Sequence, residues 1–372
     1  MRNSQKRLAI FLPEIYGGGA ERVILNLATG FVGRGYAVDL VLAQATGPHL
    51  AWIPGSVRLV ELNPWHPRAL RTLAALPALV RYLRRERPDA LLSALHANIV
   101  ALWARRLAGI PQRVVISEHC TFSQHHHQSP GLYYRLMIGL ARRFYPWAEG
   151  VLAVSEGVAE DLAQVAGISR NRIQVIYNPV VTPELRKKAQ EPLKHAWFET
   201  GQPPVLLAVG RLTPQKDFST LIQAFARVHK ICPARLLILG EGEERPELEA
   251  LVRRLNLDHA VRLPGFVSNP YSYMAQASLF VLSSRWEGLP TVLIEALYCG
   301  LPVVATDCPS GPREILANGQ YGKLVLPGDA NALAQAIEHV LNGNIPRPPC
   351  ESWRPFELET AVNQYLSILL GT

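Results

Sequence analysis

Two carboxylates in the stretch SSRWEGLPTVLIEALYCG, residues 283–300, pose a chemical problem. Glu287 stands just before a Leu-Pro-Thr helix start, and Glu295 follows eight positions later on a segment otherwise apolar enough to be core. A carboxylate in such surroundings is costly unless something binds it. Upstream, GRLTPQKDF places Arg211 and Lys216 just beyond an apolar strand-like run, where the two cations could hold a diphosphate through charge-assisted hydrogen bonds. The backbone amides of Gly288, Leu289 and Thr291, at a helix N-terminus begun by Pro290, would add aligned donors. Glutamates beside a diphosphate are repelled unless they face hydroxyl groups, and a carboxylate accepts paired hydrogen bonds from a vicinal diol. Glu295 therefore suits a ribose and Glu287 the hydroxyls of a sugar beyond the diphosphate, so the set describes a nucleotide-sugar. A plainer alternative remains, in which Glu287 caps the helix and Glu295 pairs with Arg285 or Arg313.

These residues need strands to place them. The 372-residue chain alternates short Val/Ile/Leu runs with helical patterns in both halves: LAIFL, AVDLVLA, ALLSAL, VVIS and GVLAVS, then PVLLAVG, RLLILG, VRLPG, LFVLSS and PVVAT. Near-continuous apolar strands separated by helices indicate parallel sheets covered on both faces. The expected fold class is α/β, two doubly wound parallel-sheet (Rossmann-like) domains over 1–178 and 179–355, with the Pro-, Lys- and Arg-rich stretch at 177–194 as hinge. A last helix over 356–372 carries an apolar stripe, and crossing back onto the first domain is one place for it. In such sheets ligands bind beyond the carboxyl ends of the strands. That puts His119, in VVISEHCTF, and His96, after ALLSAL, among the candidates from the first domain. Structural contacts or helix capping would also explain either histidine.

Charge divides the chain unevenly. Residues 1–178 hold 20 basic against 11 acidic side chains and the remainder 18 against 19, so the formal excess of +8 lies in the first half. A polyanion or an anionic membrane surface is the partner this suggests. A helix expected over 68–87 projects Leu73, Leu76, Val80 and Leu83 on one arc and Arg71, Arg81 and Arg85 on the other, an arginine row that would equally serve as a plain solvated face, with Pro77 a place for a kink that would disturb the projection. Around 131–147, Tyr133, Tyr134, Phe144, Tyr145 and Trp147 are interleaved with Arg135, Arg142 and Arg143, a mixture suited to lipid headgroups. A nucleic-acid partner would need stacking platforms or a known binding motif on the basic face, and the sequence offers neither. No apolar run is long enough to span a membrane, and the N-terminus passes from a short basic segment straight into a strand, so a cytoplasmic chain without a signal peptide is expected. The five cysteines show neither a paired framework nor metal-ligand spacing, and there is no Asp-x-Asp.

The motifs together resemble those of the retaining GT-B glycosyltransferases of family four, along nearly the whole chain. EGLPTVLIEA is similar to that family's paired glutamates, VGRLTPQKD to its diphosphate-binding segment, LGEGEERPELE and PGF to the segments near the nucleoside, and GGGAERV to its N-terminal glycine loop. The resemblance implies two domains facing a cleft, with Gly17, Gly18, Gly19, Arg211, Lys216, Glu241, Phe266, Glu287, Gly288, Leu289, Thr291 and Glu295 on a donor sugar-nucleotide, UDP-linked in the common case. It places His119 near the transferring sugar and makes His119, Glu287, Arg211 and Lys216 the catalytic set. Transfer would retain the anomeric configuration, the leaving phosphate taking the acceptor proton, with no metal and no other cofactor. VVISEHCTF, YYRLMIGLARRFYPWAEG and EGLPTVLIEALY are further similar to enzymes extending polyprenyl-diphosphate-linked oligosaccharides in bacterial protein N-glycosylation, the N-acetylgalactosaminyltransferases above all. That would make the acceptor a lipid-linked glycan held by Arg71, Arg81, Arg85 and His96, and the location peripheral on the inner face of the plasma membrane. Lipopolysaccharide-core or exopolysaccharide intermediates are an alternative acceptor, and a nucleotide-sugar epimerase or hydrolase an alternative activity. His125, His126 and His127 fit none of these patterns.

Overall fold

The structure, a computed structural model, describes residues 5–15, 18–64, 71–123, 131–343 and 347–372. It divides into two units, one of residues 1–179 with 358–372 and one of residues 180–357.

The first unit is built on seven parallel strands: β1 (Arg7–Leu12), β2 (Ala37–Leu42), β3 (Arg58–Glu61), β4 (Ala90–Ala94), β5 (Arg113–Glu118), β6 (Gly150–Ala153) and β7 (Ile173–Val175), in the order β3-β2-β1-β4-β5-β6-β7. The second has six: β8 (Val205–Val209), β9 (Arg235–Leu239), β10 (Val261–Gly265), β11 (Leu279–Leu282), β12 (Val303–Thr306) and β13 (Lys323–Val325), in the order β10-β9-β8-β11-β12-β13. Central strands such as β4 and β11 are buried at every residue, which is why they read as unbroken apolar runs. The edge strand β3 is exposed at three of its four positions, and β7 and β13 are three residues long. None of these three was expected from the apolar pattern.

In both sheets the chain reverses direction of growth between two neighbours, β1 and β4 in one and β8 and β11 in the other. The loops leaving such neighbours turn to opposite faces and leave a crevice between them. The last helix, Leu358–Leu370, packs into the first unit, burying Val362, Tyr365 and Leu369 in the core around β1. It approaches so closely that a Cβ on Gly30 would stand 2.3 Å from Val362 Cγ2.

One expectation fails here. The helix expected over 68–87, of which 68–70 lie outside the described residues, is divided: Arg71–Ala74 and Leu76–Glu86 are separate, with Pro77 in the first turn of the second, where its missing N–H costs nothing. The buried stripe is Ala75, Leu79, Tyr82 and Leu83, while Leu73 is 48% exposed. The stretch expected as hinge, 177–194, holds the division between the two units at 179–180 and contains a helix, Pro183–Ala189, capped by the Thr182 hydroxyl.

Candidate active site

The second unit gathers its chemistry at the crevice between β8 and β11. The turn after β8 carries Arg211, and the turn after β9 lies directly on it: Gly240 has φ +144, and a Cβ there would fall 1.9 Å from Gly210 O. Only glycine permits that contact. Further along, the Ser283 hydroxyl donates to Lys216 O at 2.7 Å, Arg285 N to Gln215 O at 2.8 Å, and Gln215 Nε2 to Trp286 O at 3.0 Å. These bonds lace the β8 loop to the β11 loop. Lys216 Nζ then meets Glu287 Oε1 at 2.5 Å, and the Ser284 hydroxyl donates to the same oxygen at 2.7 Å. Both charges are largely withdrawn from solvent, so each answers the desolvation of the other.

Glu287 caps nothing. The cap position of the helix Thr291–Tyr298 is Pro290, which lies just outside that helix rather than beginning it, and no side chain caps its first amides. Glu295 is 1% exposed on that helix. The arginines that might have answered it are engaged elsewhere, Arg285 with Asp217 at 2.9 Å and Arg313 with Asp307. Leu289 is buried beside this helix start, and the Ser310 hydroxyl donates to Gly288 O. Arg211 is exposed and has no carboxylate partner among the described residues. Glu241 reaches the same end of the sheet, its carboxylate bound by Arg245 at 2.7 Å. Next to β10, the ring of Phe266 is 65% exposed, an open face for a flat heterocycle. Sequence reasoning missed Ser284, Gln215 and Asp217; the signal for Ser284 was its place just beyond β11, and for Asp217 its place as the capping residue before the helix Phe218–Val228.

In the first unit, Gly18 occupies the cap position and Gly19 the first residue of the helix Gly19–Gly33, with no side chain on the first amides. Gly17 lies outside the described residues, as do His125, His126 and His127. His96 is exposed in the turn Leu95–Ala97 beyond β4. His119, just past β5, is buried, and burial pushes its imidazolium down to about 4. Its neighbour Glu118 is buried too, accepting from Asn98 Nδ2 at 2.7 Å and from the Tyr145 hydroxyl. Burial outweighs those donors and raises its carboxyl to about 7. Arg71, Arg81 and Arg85 do not form one row. Arg71 stands on the separate short helix and hydrogen-bonds Gln44, Arg85 pairs with Glu86 at 2.9 Å, and Arg81 is exposed.

Comparison with known proteins places the chain among glycosyltransferases. Residues 17–183 match the family model described as Glycosyltransferase Family 4, and residues 189–354 the one described as Glycosyl transferases group 1. A Campylobacter jejuni protein, N-acetylgalactosamine-N,N'-diacetylbacillosaminyl-diphospho-undecaprenol 4-alpha-N-acetylgalactosaminyltransferase, is 33% identical over 344 residues, 90% of each chain. The Rhizobium meliloti lipopolysaccharide core biosynthesis glycosyltransferase LpsE is 28% identical over 342 residues, 88% of this chain and 86% of its own. Among solved structures, Anabaena HepE in complex with UDP and glucose superposes with a TM-score of 0.79 at 23% identity, over 99% of this chain and 100% of that one. The two units thus have the GT-B fold, and an identity of one third sustained along nine-tenths of both chains shows that this chain belongs to the glycosyltransferases of family four.

Proposed function

We propose that the chain is a retaining, metal-independent glycosyltransferase that moves an N-acetylhexosamine from a UDP-sugar to a polyprenyl-diphosphate-linked oligosaccharide. The observation that carries this reading is the full-length similarity to the Campylobacter jejuni enzyme, whose name specifies that donor sugar class and that acceptor class. The HepE complexes with UDP support uridine as the base.

The site is suited to the chemistry. The exposed guanidinium of Arg211 and the ammonium of Lys216 offset the charge that develops on a departing diphosphate, and the uncapped amides at Thr291–Tyr298 add fixed dipoles. Lys216 has three N–H groups, so it can keep its bond to Glu287 while giving another to a phosphate. Glu287 in turn keeps acceptor capacity for sugar hydroxyls, Glu295 faces a ribose, and Glu241 and Phe266 border the base. In the first unit, His119 contacts a sugar hydroxyl, and the Gly18–Gly19 helix start stands at that sheet's own crevice. The acceptor proton passes to the leaving phosphate.

A peripheral location on an anionic, cytoplasmic membrane face is part of the same reading. Arg143 lies 5.6 Å from the ring centres of both Phe144 and Trp147, Arg106 lies 6.0 Å from Trp147, and Leu107 and Leu136 are exposed nearby in sequence. No helix among the described residues is long and apolar enough to cross a membrane.

The second reading, transfer to lipopolysaccharide-core or exopolysaccharide intermediates, is favoured by LpsE and by the Erwinia amylovora amylovoran biosynthesis glycosyltransferase AmsD, 28% identical over 307 residues. Mass spectrometry of products from UDP-N-acetylhexosamines offered with each acceptor separates the two. We expect a mass increment on the polyprenyl-linked glycan, an α-anomeric proton in its NMR spectrum, and the same yield in excess EDTA. Extension of the lipopolysaccharide core alone, release of UDP without any extended glycan, or loss of activity restored by Mg²⁺ would each overturn the corresponding part.

A further inference from the structure

Ser117, on β5, faces two partners at once. Its Oγ lies 3.2 Å from His119 Nε2 and 3.2 Å from the hydroxyl of Tyr365, and all three residues are buried. Tyr365 arrives from the helix Leu358–Leu370, and among the described residues Ser117 is the hydrogen-bond partner of its hydroxyl. A serine has one proton to give and two lone pairs to offer, so three arrangements are open: its proton goes to Tyr365, to His119, or to neither while both neighbours donate to it. In the first, His119 Nε2–H donates to Ser117, Ser117 donates to Tyr365, and the phenolic proton is left buried with no acceptor among the described residues; in the third the serine proton is left the same way, and either is expensive. In the second, Tyr365 donates to Ser117, Ser117 donates to His119 Nε2, and both hydroxyl protons have acceptors. The imidazole must then carry its own proton on Nδ1. That nitrogen is buried and has no hydrogen-bond partner among the described residues.

We propose that Tyr365 is a positioning residue which, acting through Ser117, fixes His119 in the Nδ1–H tautomer, so that the ring offers a hydrogen-bond donor rather than an acceptor to a hydroxyl oxygen of a bound sugar. Burial keeps the ring neutral, as the scheme requires, because an imidazolium has no lone pair at Nε2 to receive the serine proton. The sugar as ligand rests on the glycosyltransferase function proposed above; the tautomer does not.

Long-range ¹H–¹⁵N correlation spectra of the histidine rings test the tautomer directly, with His119→Phe identifying the His119 signals by their loss. We expect a protonated Nδ1 and a bare Nε2 in the wild type, and a shift toward Nε2–H in Tyr365→Phe, which keeps the ring and deletes the proton. With UDP affinity unchanged, Tyr365→Phe should lower kcat about tenfold, the size of one neutral hydrogen bond. Ser117→Ala should do the same, and Ser117→Thr, which retains the hydroxyl, should restore most of it. A wild-type ring protonated at Nε2, or a spectrum and kcat unmoved by Tyr365→Phe, overturns the proposal. Full transfer by His119→Phe would overturn the sugar as the ligand, leaving the spectra to judge the hydrogen-bond chain on their own.

Discussion

Lys216 and Glu287 share one short ion pair that is worth most as a pair. Lys216→Met leaves a buried carboxylate without its cation and should cost about 3 to 5 kcal/mol, whereas Lys216→Met combined with Glu287→Gln should recover much of that loss. Urea unfolding of the singles and the double measures both, and additive losses would show that the two side chains do not depend on each other. Glu118 gives a pH-dependent counterpart. Its carboxyl is raised to about 7 from an unperturbed 4.5, so the fold favours its protonated form. Its contribution to stability is therefore full below about pH 4.5 and is lost as pH rises through 7. His119 acts in the opposite window: held down to about 4, it costs stability as pH falls from 6.5 toward 4. Asn98 and Tyr145 both donate to one oxygen of Glu118, and a glutamine carbonyl can accept both bonds. Glu118→Gln should accordingly be more stable than wild type at pH 8, by about 2 to 3 kcal/mol, and no more stable at pH 4.5. Equal stability of the two proteins at pH 8 would contradict the assignment.

At the scale of elements, the crevice of the second unit depends on the turn after β9 lying against the turn after β8. Gly240→Ala forces a methyl into Gly210 O at a backbone conformation that side chains rarely adopt. We expect a loss of about 3 kcal/mol or more in stability, and a large fall in UDP affinity even where the protein folds, read by thermal denaturation and calorimetry. Much of this scale was legible in the amino-acid order, because central parallel strands are buried on both faces and show as unbroken apolar runs. The edge strand β3 was not, since its exposed residues have no reason to be apolar. The kink expected at Pro77 is a break just before it, and Leu73, Leu76, Val80 and Leu83 therefore do not share the one helical period they fit. Of the candidate site, Lys216 and Glu287, which the structure brings together, could be named from the sequence because they stand beyond the ends of apolar strands. Contacts between distant segments could not: nothing local links Glu118 to Asn98 and Tyr145, or Ser117 to Tyr365.

For the whole molecule, charge separates what the two units are suited to. The basic excess belongs to residues 1–178, and Arg106 and Arg143 stack there on aromatic rings. Arg106→Ala with Arg143→Ala should weaken binding to phosphatidylserine vesicles by about tenfold or more, since each basic residue near such a surface contributes about 1 kcal/mol, and wild-type binding should fall as salt is raised. Co-sedimentation that is indifferent to both changes would remove this face from the membrane. The helix Leu358–Leu370 has a consequence of another kind. It completes the core of the first unit although it follows the entire second unit in the chain. During synthesis, residues 180–357 emerge from the ribosome with all their strands available, while the first unit, made earlier, must wait with the seam at Gly30 open until residues 358–372 arrive. The portion translated first is therefore the portion finished last, and through that interval its apolar groove is a natural client for a chaperone.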